Sequence, residues 1–491
     1  MNKIDKFLNA ITMYRLLLYG LFGLVILSVG LGFAGVIDYS GQAILATTGV
    51  LLAASYATNK ACGLLYGAVT NSESYLITAL ILALILPPST SDEKLFYVAL
   101  AGFLAVVSKF VIAYRHKHIF NPAAFAAAAV SLAGYLSVTW WVGIPVLMPY
   151  VLLLGYLIVR KIHRIPLASA FLLASLVMLV FVGFLSGQPV ETLLKNAVFS
   201  GPLLFFAGVM LTEPATMPST RYRQVLFGVL VGSLYSAQLR FGIVSTSPHI
   251  VLLVGNIFAF ALNHKQSYVL RLKEKIKVSA QVYDFVFQSN RRLAFAPGQY
   301  MEWTLAHKKI DRRGNRRSFT IASSPTEEEV HLGVKFYEPS SSYKKALIAM
   351  KPGDKIAASG LVGSFTLPHD MQRKLVFIAG GIGITPFRSM LKYALDKEEA
   401  RDVTVFYALN TAQEAAYKDV LRAAQLGGAK IVPIIAPNLL DAAKIRQQVP
   451  DFEERLFYLS GPNGMVEAYK KLLSSMDIKA HNIVTDYFSG Y

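Results

Sequence analysis

The chain has 491 residues, of which 54% are hydrophobic and only 16% are charged. A soluble protein carries about 25% charged residues, so much of this chain is predicted to lie in a lipid bilayer. The formal net charge of +18 comes without an aromatic-interleaved basic patch, which argues against nucleic acid and favours basic loops beside lipid headgroups. The single cysteine, Cys62, excludes an internal disulfide and an iron–sulfur cluster ligated by this chain alone.

Charged residues are unevenly distributed along the chain. They are sparse between Leu16 and Asn263 and dense from Lys265 onward, which predicts a transmembrane domain over residues 1–264 followed by aqueous domains. The apolar runs of the first region predict about ten helices that cross ~30 Å of hydrocarbon. The predicted spans are 13–36, 42–57, 75–86, 96–113, 122–141, 146–159, 166–184, 198–211, 224–239 and 250–262.

Basic residues in the short loops predict the orientation of these helices. With an even number of spans, the basic loops share one side and loops such as PPSTSDEK lie on the other. We therefore expect a multi-pass protein of the cytoplasmic (inner) membrane, with both termini cytoplasmic and no cleavable signal peptide. ALILPPST (83–90) is similar to VMLTEPAT (209–216), and an asparagine follows each, Asn121 and Asn256. This similarity predicts an inverted repeat. The alternative is that two short apolar motifs are similar by chance.

After residue 265 the long apolar runs give way to short runs in which apolar and polar residues alternate. YVLRLKEKIKVSAQVYDFVFQS is typical of two strands and GQYMEWTL of another, which predicts an antiparallel β-barrel domain over 265–370. LVFIAG, DVTVFYAL, KIVPII and RLFYLSG are apolar strands separated by helical stretches, a pattern that predicts a parallel α/β domain over 371–491. The predicted fold is thus a polytopic α-helical membrane domain, an antiparallel β-barrel and an α/β nucleotide-binding domain.

Two stretches of the membrane region carry a family resemblance. SYLITALILALILPPSTSDEKLFYVALAGFLAVVSKFVIAYRHKHIFNPAAFA and FFAGVMLTEPATMP are similar to the membrane protein NQR-B of the sodium-pumping NADH:quinone oxidoreductase and to its homologue RnfD of the Rnf complex. Members of that family usually carry a Ser-Gly-Ala-Thr element whose threonine is esterified to FMN, and residues 122–145 contain no such element. The resemblance together with the missing element predicts a noncovalently held FMN or riboflavin, with Asn121, Thr212, Glu213 and Thr216 as candidate ligands. From the residues alone, Asn121 starts a helix and Glu213 ends one.

Five motifs of the second region follow one another in a recognisable order. RRSFTIASSP (316–325) matches an Arg-x-Tyr/Phe-Ser/Thr flavin signature, FYEPSSSYKKAL contains an altered phosphate-binding Gly-x-x-Ser, and SGLVGSF (359–365) is a barrel-closing turn. AGGIGITP (379–386) is a glycine turn that lets the backbone approach a pyrophosphate at a helix N-terminus. SGPNGMV (460–466) replaces the usual Cys-Gly-Pro-x-x-Met. A glycine turn by itself would be weak evidence for a dinucleotide site. The order of all five motifs, however, closely resembles that of the ferredoxin reductase superfamily.

The resemblance implies FAD as a cofactor and a role for each motif residue. Arg317 would bind the FAD pyrophosphate, Phe319 would lie on the flavin ring, and Thr320 would hydrogen bond near flavin N5. The implied catalytic residues are Thr320, Ser460 and Phe488. The implied cofactor-binding residues are Arg317, Ser318, Phe319, Thr320, Ser341, Ser342, Gly363, Ser364, Gly380, Gly381, Gly383, Thr385, Pro386, Gly461, Pro462, Met465 and Tyr491.

The tail TDYFSGY resembles the end of the sodium-pump reductase component, where a near-terminal phenylalanine covers the flavin. Phe488 takes that place and Tyr491 is the second candidate, while a terminal aromatic that only anchors the domain is the alternative. After VFYAL, the segment NTAQEAAYKDVL lacks the arginine that commonly holds a 2′-phosphate. This favours NADH over NADPH as the reductant.

Transmembrane electron transfer is the function that these expectations favour. NADH would reduce FAD, and a membrane-held flavin would pass the electrons to quinone or to an extracytoplasmic flavoprotein. Haem is disfavoured and no metal site is predicted, because the histidines of the first region lie at predicted helix ends or loops: His116, His118, His163, His249 and His264. A nucleotide-regulated transporter and a direct NADH:quinone reductase without a membrane cofactor are the alternatives. Membrane lipid is the other expected partner, and the sequence leaves homo-oligomerisation open.

Overall fold

The protein, seen here in a computed structural model, divides into two compact units, Met1–Ser267 and Tyr268–Tyr491. The structure describes residues 8, 11–66, 72–114, 117–199, 201–218, 220–237, 239–241, 244–262, 267–308, 310–311 and 314–488. The domain boundary predicted at 264/265 lies outside these residues, as do His116 and His264.

Unit 1 is built from helices. Its described part contains ten helices of ten residues or more, namely α1 (Met13–Phe33), α2 (Gly41–Leu65), α3 (Ser72–Ile85), α4 (Asp92–Val111), α5 (Pro122–Leu132), α6 (Met148–Lys161), α7 (Ile165–Ser186), α8 (Val190–Phe199), α9 (Arg221–Ser236) and α10 (Pro248–Leu262). A π-helical turn, Phe206–Met210, follows the short helix Leu203–Phe205. The predicted helical character of this region is confirmed.

Three of the described helices are long and apolar enough to cross a bilayer, namely α1, α4 and α7. A fourth span results if α8 and the bent segment Leu203–Met210 are counted together. Three further apolar helices, α3, α5 and α10, have fewer than 18 residues. Ten membrane spans and the inverted repeat therefore stay predictions.

The span predicted over 122–141 is wrong at its end, because α5 stops at Leu132. Gly134 has φ 74° and Trp140 has φ 49°, and an α-helix contains neither conformation. The backbone N–H groups of Thr139 and Trp140 instead donate to the carbonyl of Ile85 at the end of α3. Leu136, Trp140 and Trp141 are buried within this irregular segment, whereas Tyr135 is exposed.

Polar residues at helix starts explain several helix boundaries in unit 1. The side chains of Thr12, Ser40 and Asn121 each accept a hydrogen bond from the backbone N–H three residues later. A cap of this kind stabilises a helix by about 1 kcal/mol. Pro122 adds a residue whose φ already suits the first helical position.

Unit 2 begins with a six-stranded antiparallel sheet. Its strands are β1 (Ser267–Lys277), β2 (Val282–Ser289), β3 (Tyr300–Thr304), β4 (Arg316–Thr320), β5 (Val330–Lys335) and β6 (Lys355–Val362), in the order β4-β3-β6-β1-β2-β5. Helix α11 (Ser342–Ala349) lies between β5 and β6 in the chain. Trp303, Tyr343, Phe285 and Phe287 are fully buried and form the centre of this domain.

The second part of unit 2 is a five-stranded parallel sheet. Its strands are β7 (Leu375–Gly380), β8 (Val403–Leu409), β9 (Lys430–Ile435), β10 (Leu456–Pro462) and β11 (Ile483–Phe488), in the order β9-β8-β7-β10-β11. The helices between them are α12 (Thr385–Asp396), α13 (Lys418–Leu426), α14 (Ala442–Gln448) and α15 (Asn463–Ser475). All strands run parallel, so their carboxyl ends form one edge, where open α/β sheets bind nucleotides. The predicted order of barrel and parallel α/β sheet is confirmed.

Candidate functional site

The glycine turn lies at the carboxyl end of β7, the central strand of the parallel sheet. Gly381 has φ 52°, and a Cβ atom there would meet no atom within 4 Å. A Cβ on Gly380 would lie 2.3 Å from the Met465 sulfur, and one on Gly383 would lie 2.2 Å from the Ser460 carbonyl oxygen. The turn therefore touches the SGPNGM segment on one side and leaves Gly381 open on the other.

Helix α12 begins directly after this turn. Thr385 is its first residue and Pro386 its second, and the Thr385 hydroxyl donates to the Ile382 carbonyl across the turn. Pro386 has no backbone N–H and sits where a helix does not need one. Residues Gly381–Ile384 form a 3-10 turn that leads directly into the helix, and the Thr385 backbone N–H donates to the Ile382 carbonyl. A glycine turn that leads into a helix N-terminus is a common pyrophosphate-binding arrangement.

Ser460 lies beside this turn, on β10. Ala379 of β7 and Ser460 are register partners, and the Ser460 side chain is fully buried. Its hydroxyl has no hydrogen-bond partner among the described residues. Gly461 and Met465, which come after Ser460 in the chain, pack against Gly380, whereas Pro462 is exposed. A buried hydroxyl without a partner costs free energy, so its position suits a ligand that hydrogen bonds to it.

The flavin motif lies on β4, the edge strand of the barrel domain. Arg317 is buried, and its guanidinium donates to the carbonyls of Gly314 (3.1 Å) and Arg316 (2.6 Å). The guanidinium also lies over the ring of Tyr343, 5.1 Å from its centroid. The Phe319 ring lies 6.0 Å from the same Tyr343 ring, so α11 brings the two motif side chains together.

The N-terminus of α11 faces the same group of residues. The Ser341 hydroxyl accepts from the Lys344 backbone N–H and caps the helix. Ser342 donates its backbone N–H to the Asp311 carboxylate (2.8 Å), and its hydroxyl accepts from the Asp311 N–H (3.0 Å). The same carboxylate lies 3.7 Å from an Arg317 nitrogen. These donors form an anion site, and the Asp311 carboxylate is its ligand in this structure.

Thr320 ends β4 with a buried hydroxyl that has no hydrogen-bond partner among the described residues. Ser318, two residues earlier, is exposed and lies on the same strand. The Trp303 indole donates to the Phe319 carbonyl (3.3 Å) and fixes the strand beside Thr320. The Thr320 hydroxyl thus fits the predicted bond to a flavin ring.

Gly363 and Ser364 follow the end of β6, and Phe488 ends β11. Gly363 has φ 129° and its carbonyl accepts from the Gln299 side chain (3.3 Å), while Ser364 is exposed. Phe488 is the last residue of β11, in register with Pro462, and its side chain lies outside what the structure describes. Tyr491 lies outside the described residues altogether. The proposed flavin cover therefore stays a prediction.

In unit 1, Glu213 is the centre of a polar cluster. Its carboxylate accepts from the Asn121 side chain (2.8 Å) and the Thr216 hydroxyl (3.3 Å) and lies 3.3 Å from His118 Nε2. Asn256 accepts from the Asn121 backbone N–H (2.7 Å), so the two asparagines that follow the similar motifs meet. Thr212 is buried but donates to the Gly208 carbonyl of the π-turn, away from Glu213. Three of the four predicted ligands thus come together.

A second network in unit 2 has no counterpart among the predicted residues. The Arg388 guanidinium of α12 forms a bidentate ion pair with Glu327, 2.7 Å at its longer contact, and donates to the Ala322 carbonyl. Burial opposes ionisation of Glu327, but the bonds from Arg388 outweigh it and hold its pKa below the usual value. Asp284 accepts from the Tyr417 hydroxyl (3.2 Å) and lies 2.7 Å from His331 Nδ1. No sequence motif links these residues, although the charges of Asp284 and Arg388 among apolar neighbours could have drawn attention to those two.

The site residues fit FAD and a nicotinamide dinucleotide. The barrel offers an anion site between Arg317 and α11 and an unpartnered hydroxyl on Thr320. The parallel sheet offers an open glycine turn at a helix N-terminus and an unpartnered hydroxyl on Ser460. These are the donor types that dinucleotides and a flavin ring require.

Comparisons with known proteins agree with this geometry. Residues 267–367 match the model of the oxidoreductase FAD-binding domain, and residues 377–471 match that of the oxidoreductase NAD-binding domain. An NADPH oxidoreductase of Mycobacterium tuberculosis is 30% identical over 189 residues, 37% of this chain and 49% of the relative. The reductase component of propane 2-monooxygenase of Rhodococcus jostii is 27% identical over 213 residues, 40% of this chain and 56% of the relative.

The chain spans about half the length of these curated relatives. Among solved structures, the flavohaem-like FAD/NAD-binding domain of nitric oxide dioxygenase from Vibrio cholerae is 22% identical, covering 45% of this chain and 98% of that one with a TM-score of 0.41. The family models confirm the predicted FAD- and NAD-binding domains. Unit 2 is therefore an oxidoreductase unit in which an FAD-binding domain precedes an NAD-binding domain.

Proposed function

We propose that this chain is a membrane-bound NAD(P)H oxidoreductase that passes electrons from NADH through FAD to a flavin held in unit 1, and from there to quinone or an extracytoplasmic flavoprotein. The observation that carries the oxidoreductase assignment is the pair of buried hydroxyls without described partners, Thr320 in the FAD-binding domain and Ser460 in the NAD-binding domain. FAD supplies the hydride-accepting ring when it is bound.

Residues of unit 2 divide the work of binding and orientation. Arg317 and the N-terminus of α11 would bind the FAD pyrophosphate, and the Thr320 hydroxyl would donate a hydrogen bond to the ring. The glycine turn and the first turn of α12 would bind the pyrophosphate of NADH. Ser460, at the same sheet edge, would orient the nicotinamide.

The polar cluster around Glu213 supports a cofactor site in unit 1. Amide, carboxylate, imidazole and hydroxyl groups from separate segments meet there: Asn121, Thr216, Asn256, His118 and Glu213. Polar groups placed in an apolar helical unit are costly, and they commonly mark a functional site. A hydrocarbon core of ~30 Å also requires a second redox group if electrons are to cross it.

Flavin content tests this proposal in the full-length protein. Acid denaturation of the purified chain should release two flavins per chain, and Glu213→Gln should release about one, because the amide removes the charge at the cluster's centre. Glu191→Gln is the matched control, since Glu191 lies on α8 of the same unit with a largely exposed side chain, and this variant should keep both flavins.

Other outcomes would point to the alternative functions. One flavin per wild-type chain, with NADH:quinone reduction intact, would mean that FAD transfers electrons directly to quinone. Ion flux in proteoliposomes without any NADH oxidation would favour a nucleotide-regulated transporter.

A further inference from the structure

Tyr417 has an unusual position between the two domains of unit 2. It precedes α13, is almost fully buried, and has φ 55°, a left-handed conformation that costs a non-glycine residue about 1 kcal/mol or more. Its ring lies below the Arg388 guanidinium, 5.6 Å from the centroid, and its hydroxyl reaches across to Asp284 of the barrel domain. Such a conformation persists only when the surrounding contacts hold it.

The residues of the FAD-binding domain that contact Tyr417 are also held by close packing. Asp284 lies on β2 and is 3% exposed, and its second carboxylate oxygen contacts His331 on the neighbouring strand β5. On the same strand, a Cβ atom on Gly333 would lie 2.3 Å from the Tyr417 hydroxyl and 2.8 Å from the Thr385 methyl carbon. Strand β5 therefore packs directly against both Tyr417 and the first residue of α12.

The contact continues from Tyr417 to the glycine turn. The backbone N–H of Ala416 donates to the Tyr407 hydroxyl (3.2 Å), and this hydroxyl donates to the Gly381 carbonyl (3.1 Å). Burial raises the pKa of Tyr407 to about 12, so the phenol stays protonated and can donate at neutral pH. A chain of contacts thus runs from Asp284 in the FAD-binding domain to Gly381 in the NAD-binding turn.

A second set of contacts holds α12 against the barrel. The Arg388 guanidinium binds Glu327 and the Ala322 carbonyl, and the Ser389 hydroxyl donates to the Ser323 carbonyl (2.6 Å). These contacts tie the helix itself and would remain if the Tyr417 hydroxyl were removed. The Tyr417 hydroxyl therefore acts on the turn at the start of the helix, while Arg388 and Ser389 hold the two domains together.

We propose that Tyr417 is a positioning residue for hydride transfer, in which the Asp284–Tyr417 hydrogen bond sets the place of the NAD-binding turn relative to the FAD-binding domain. The inference rests on the proposed NADH oxidation. Hydride transfer needs the donor and acceptor atoms about 3–3.5 Å apart, and a displacement of about 1 Å can cost a hundredfold in rate. A bond that spans the two domains close to the turn is well placed to control that distance.

The test is Tyr417→Phe in the full-length protein, which removes only the hydroxyl. Asp284→Asn, which keeps the size of the side chain, is a second variant. Tyr469→Phe is the matched control, because Tyr469 is also a nearly buried tyrosine of the NAD-binding domain, but its hydroxyl bonds to the Leu440 backbone within that domain.

Three readouts separate positioning from folding. In Tyr417→Phe we expect wild-type FAD content, a KM for NADH within about twofold of wild type, and a rate of flavin reduction about tenfold lower. The primary isotope effect with deuterated NADH should rise, and the transient charge-transfer absorbance of the NADH–flavin complex should weaken. Asp284→Asn should change these quantities in the same direction, and Tyr469→Phe should change none of them.

The proposed function and this inference fail in different ways. If the wild-type flavin is not reduced by NADH, both are overturned. If wild-type flavin is reduced but Tyr417→Phe matches Tyr469→Phe in rate, isotope effect and charge-transfer absorbance, only the positioning role is overturned. Loss of FAD from both Tyr417→Phe and Asp284→Asn would also overturn it, because the contact would then hold the fold.

Discussion

Thr320 offers a sharp test of the flavin site at the level of a single atom. Thr320→Val keeps the shape of the side chain and removes the buried hydroxyl that has no described partner. We expect reduction of bound FAD by NADH to slow about tenfold, equivalent to ~1.4 kcal/mol, with FAD content unchanged. Stopped-flow absorbance of the flavin measures the rate. Thr304→Val on β3 is the control, and equal slowing in both variants would contradict the assignment.

The Asp311 carboxylate is expected to compete with the FAD pyrophosphate for the same hydrogen-bond donors. Its carboxylate accepts from the Ser342 N–H and lies 3.7 Å from Arg317, which are the donors that the FAD pyrophosphate needs. Asp311→Asn should therefore tighten FAD binding about three- to tenfold, because a charge that repels the pyrophosphate is removed.

Titration of the flavin-depleted protein with FAD, followed by fluorescence, measures this affinity. Asp370→Asn, in an exposed turn of the same unit, should leave it unchanged. Weaker FAD binding in Asp311→Asn would show that the carboxylate supports the site rather than competing for it.

The sequence identified the motif residues of the candidate site, but it did not identify contacts between residues that are far apart in the chain. The proximity of Gly383 to Ser460 follows from two motifs at the carboxyl ends of neighbouring strands. The contact of Asp284 with Tyr417 joins residues 133 positions apart, and His331 joins from 47 positions away. Only the folded sheet order brings such residues together, since nothing in local spacing encodes it.

The junction of β7 and β10 depends on a glycine with no room for a side chain. A Cβ on Gly383 would lie 2.2 Å from the Ser460 carbonyl oxygen, a backbone atom that cannot move alone. We expect Gly383→Ala to raise the KM for NADH at least about tenfold while FAD content stays normal, because the strain falls on the NAD-binding domain. Gly464→Ala in α15 is the control, since its Cβ would meet nothing within 4 Å. A normal KM in Gly383→Ala would remove the turn from the NADH site.

An ionic cluster links the amino ends of the strands of the parallel sheet. Asp451 accepts from Arg455 (2.7 Å) and Lys374 (2.6 Å), and Arg455 also pairs with Asp402. These hydrogen bonds lower the pKa of Asp451 to about 2, and the bond from Arg455 has the largest effect. The pKa of an aspartate in an unfolded chain is roughly 3.9. The stabilisation is therefore present above about pH 4 and is lost as the pH falls towards about 2.

Asp451→Asn should lower the temperature of flavin release from the full-length protein at pH 7. Its difference from wild type should shrink as the pH falls from about 4 towards about 2, because the stabilisation from the Asp451 charge is lost over that range. Glu467→Gln, an exposed acidic residue on α15, should show no such trend. A difference that stays constant with pH would rule out the charge of Asp451 as its source.

At the level of elements, periodicity predicted the strands of unit 2 better than the helices of unit 1. The alternating and apolar runs of unit 2 are bounded by turn residues that fix where strands end. In unit 1, residues 122–141 are largely apolar throughout, so hydropathy could not show that α5 ends at Leu132. The end is set by Gly134 and by the hydrogen bonds of residues 139 and 140 to Ile85, which are tertiary contacts.

The side of the membrane on which NADH is oxidised can be measured. Both termini and unit 2 are expected to be cytoplasmic, because the basic loops of unit 1 are predicted to lie on the same side as the termini. NADH does not cross a sealed bilayer, so inside-out membrane vesicles should oxidise it, whereas right-side-out vesicles should do so only after detergent is added. Equal oxidation by both kinds of intact vesicle would contradict this orientation.

The order of the units was predictable from composition, whereas the architecture of unit 1 was not. Charge density separates a lipid-compatible region from a water-facing one, since charged residues are costly in hydrocarbon. The number of spans depends on which short helices pair into broken ones, and α8 with Leu203–Met210 is one candidate pair. Such pairing is decided by neighbours in space, and a hydropathy profile carries no information about them.

Gly333 restricts how this protein can evolve. A methyl group there would collide with the Tyr417 hydroxyl and with the methyl of Thr385, so these three positions form one steric unit. A side chain at position 333 would require Tyr417 and Thr385 to move or to become smaller. If Tyr417 has the proposed positioning role, such a change would alter the contact between the FAD-binding domain and the NAD-binding turn. Selection for turnover should therefore keep the three residues together, and their substitutions among descendants should be correlated.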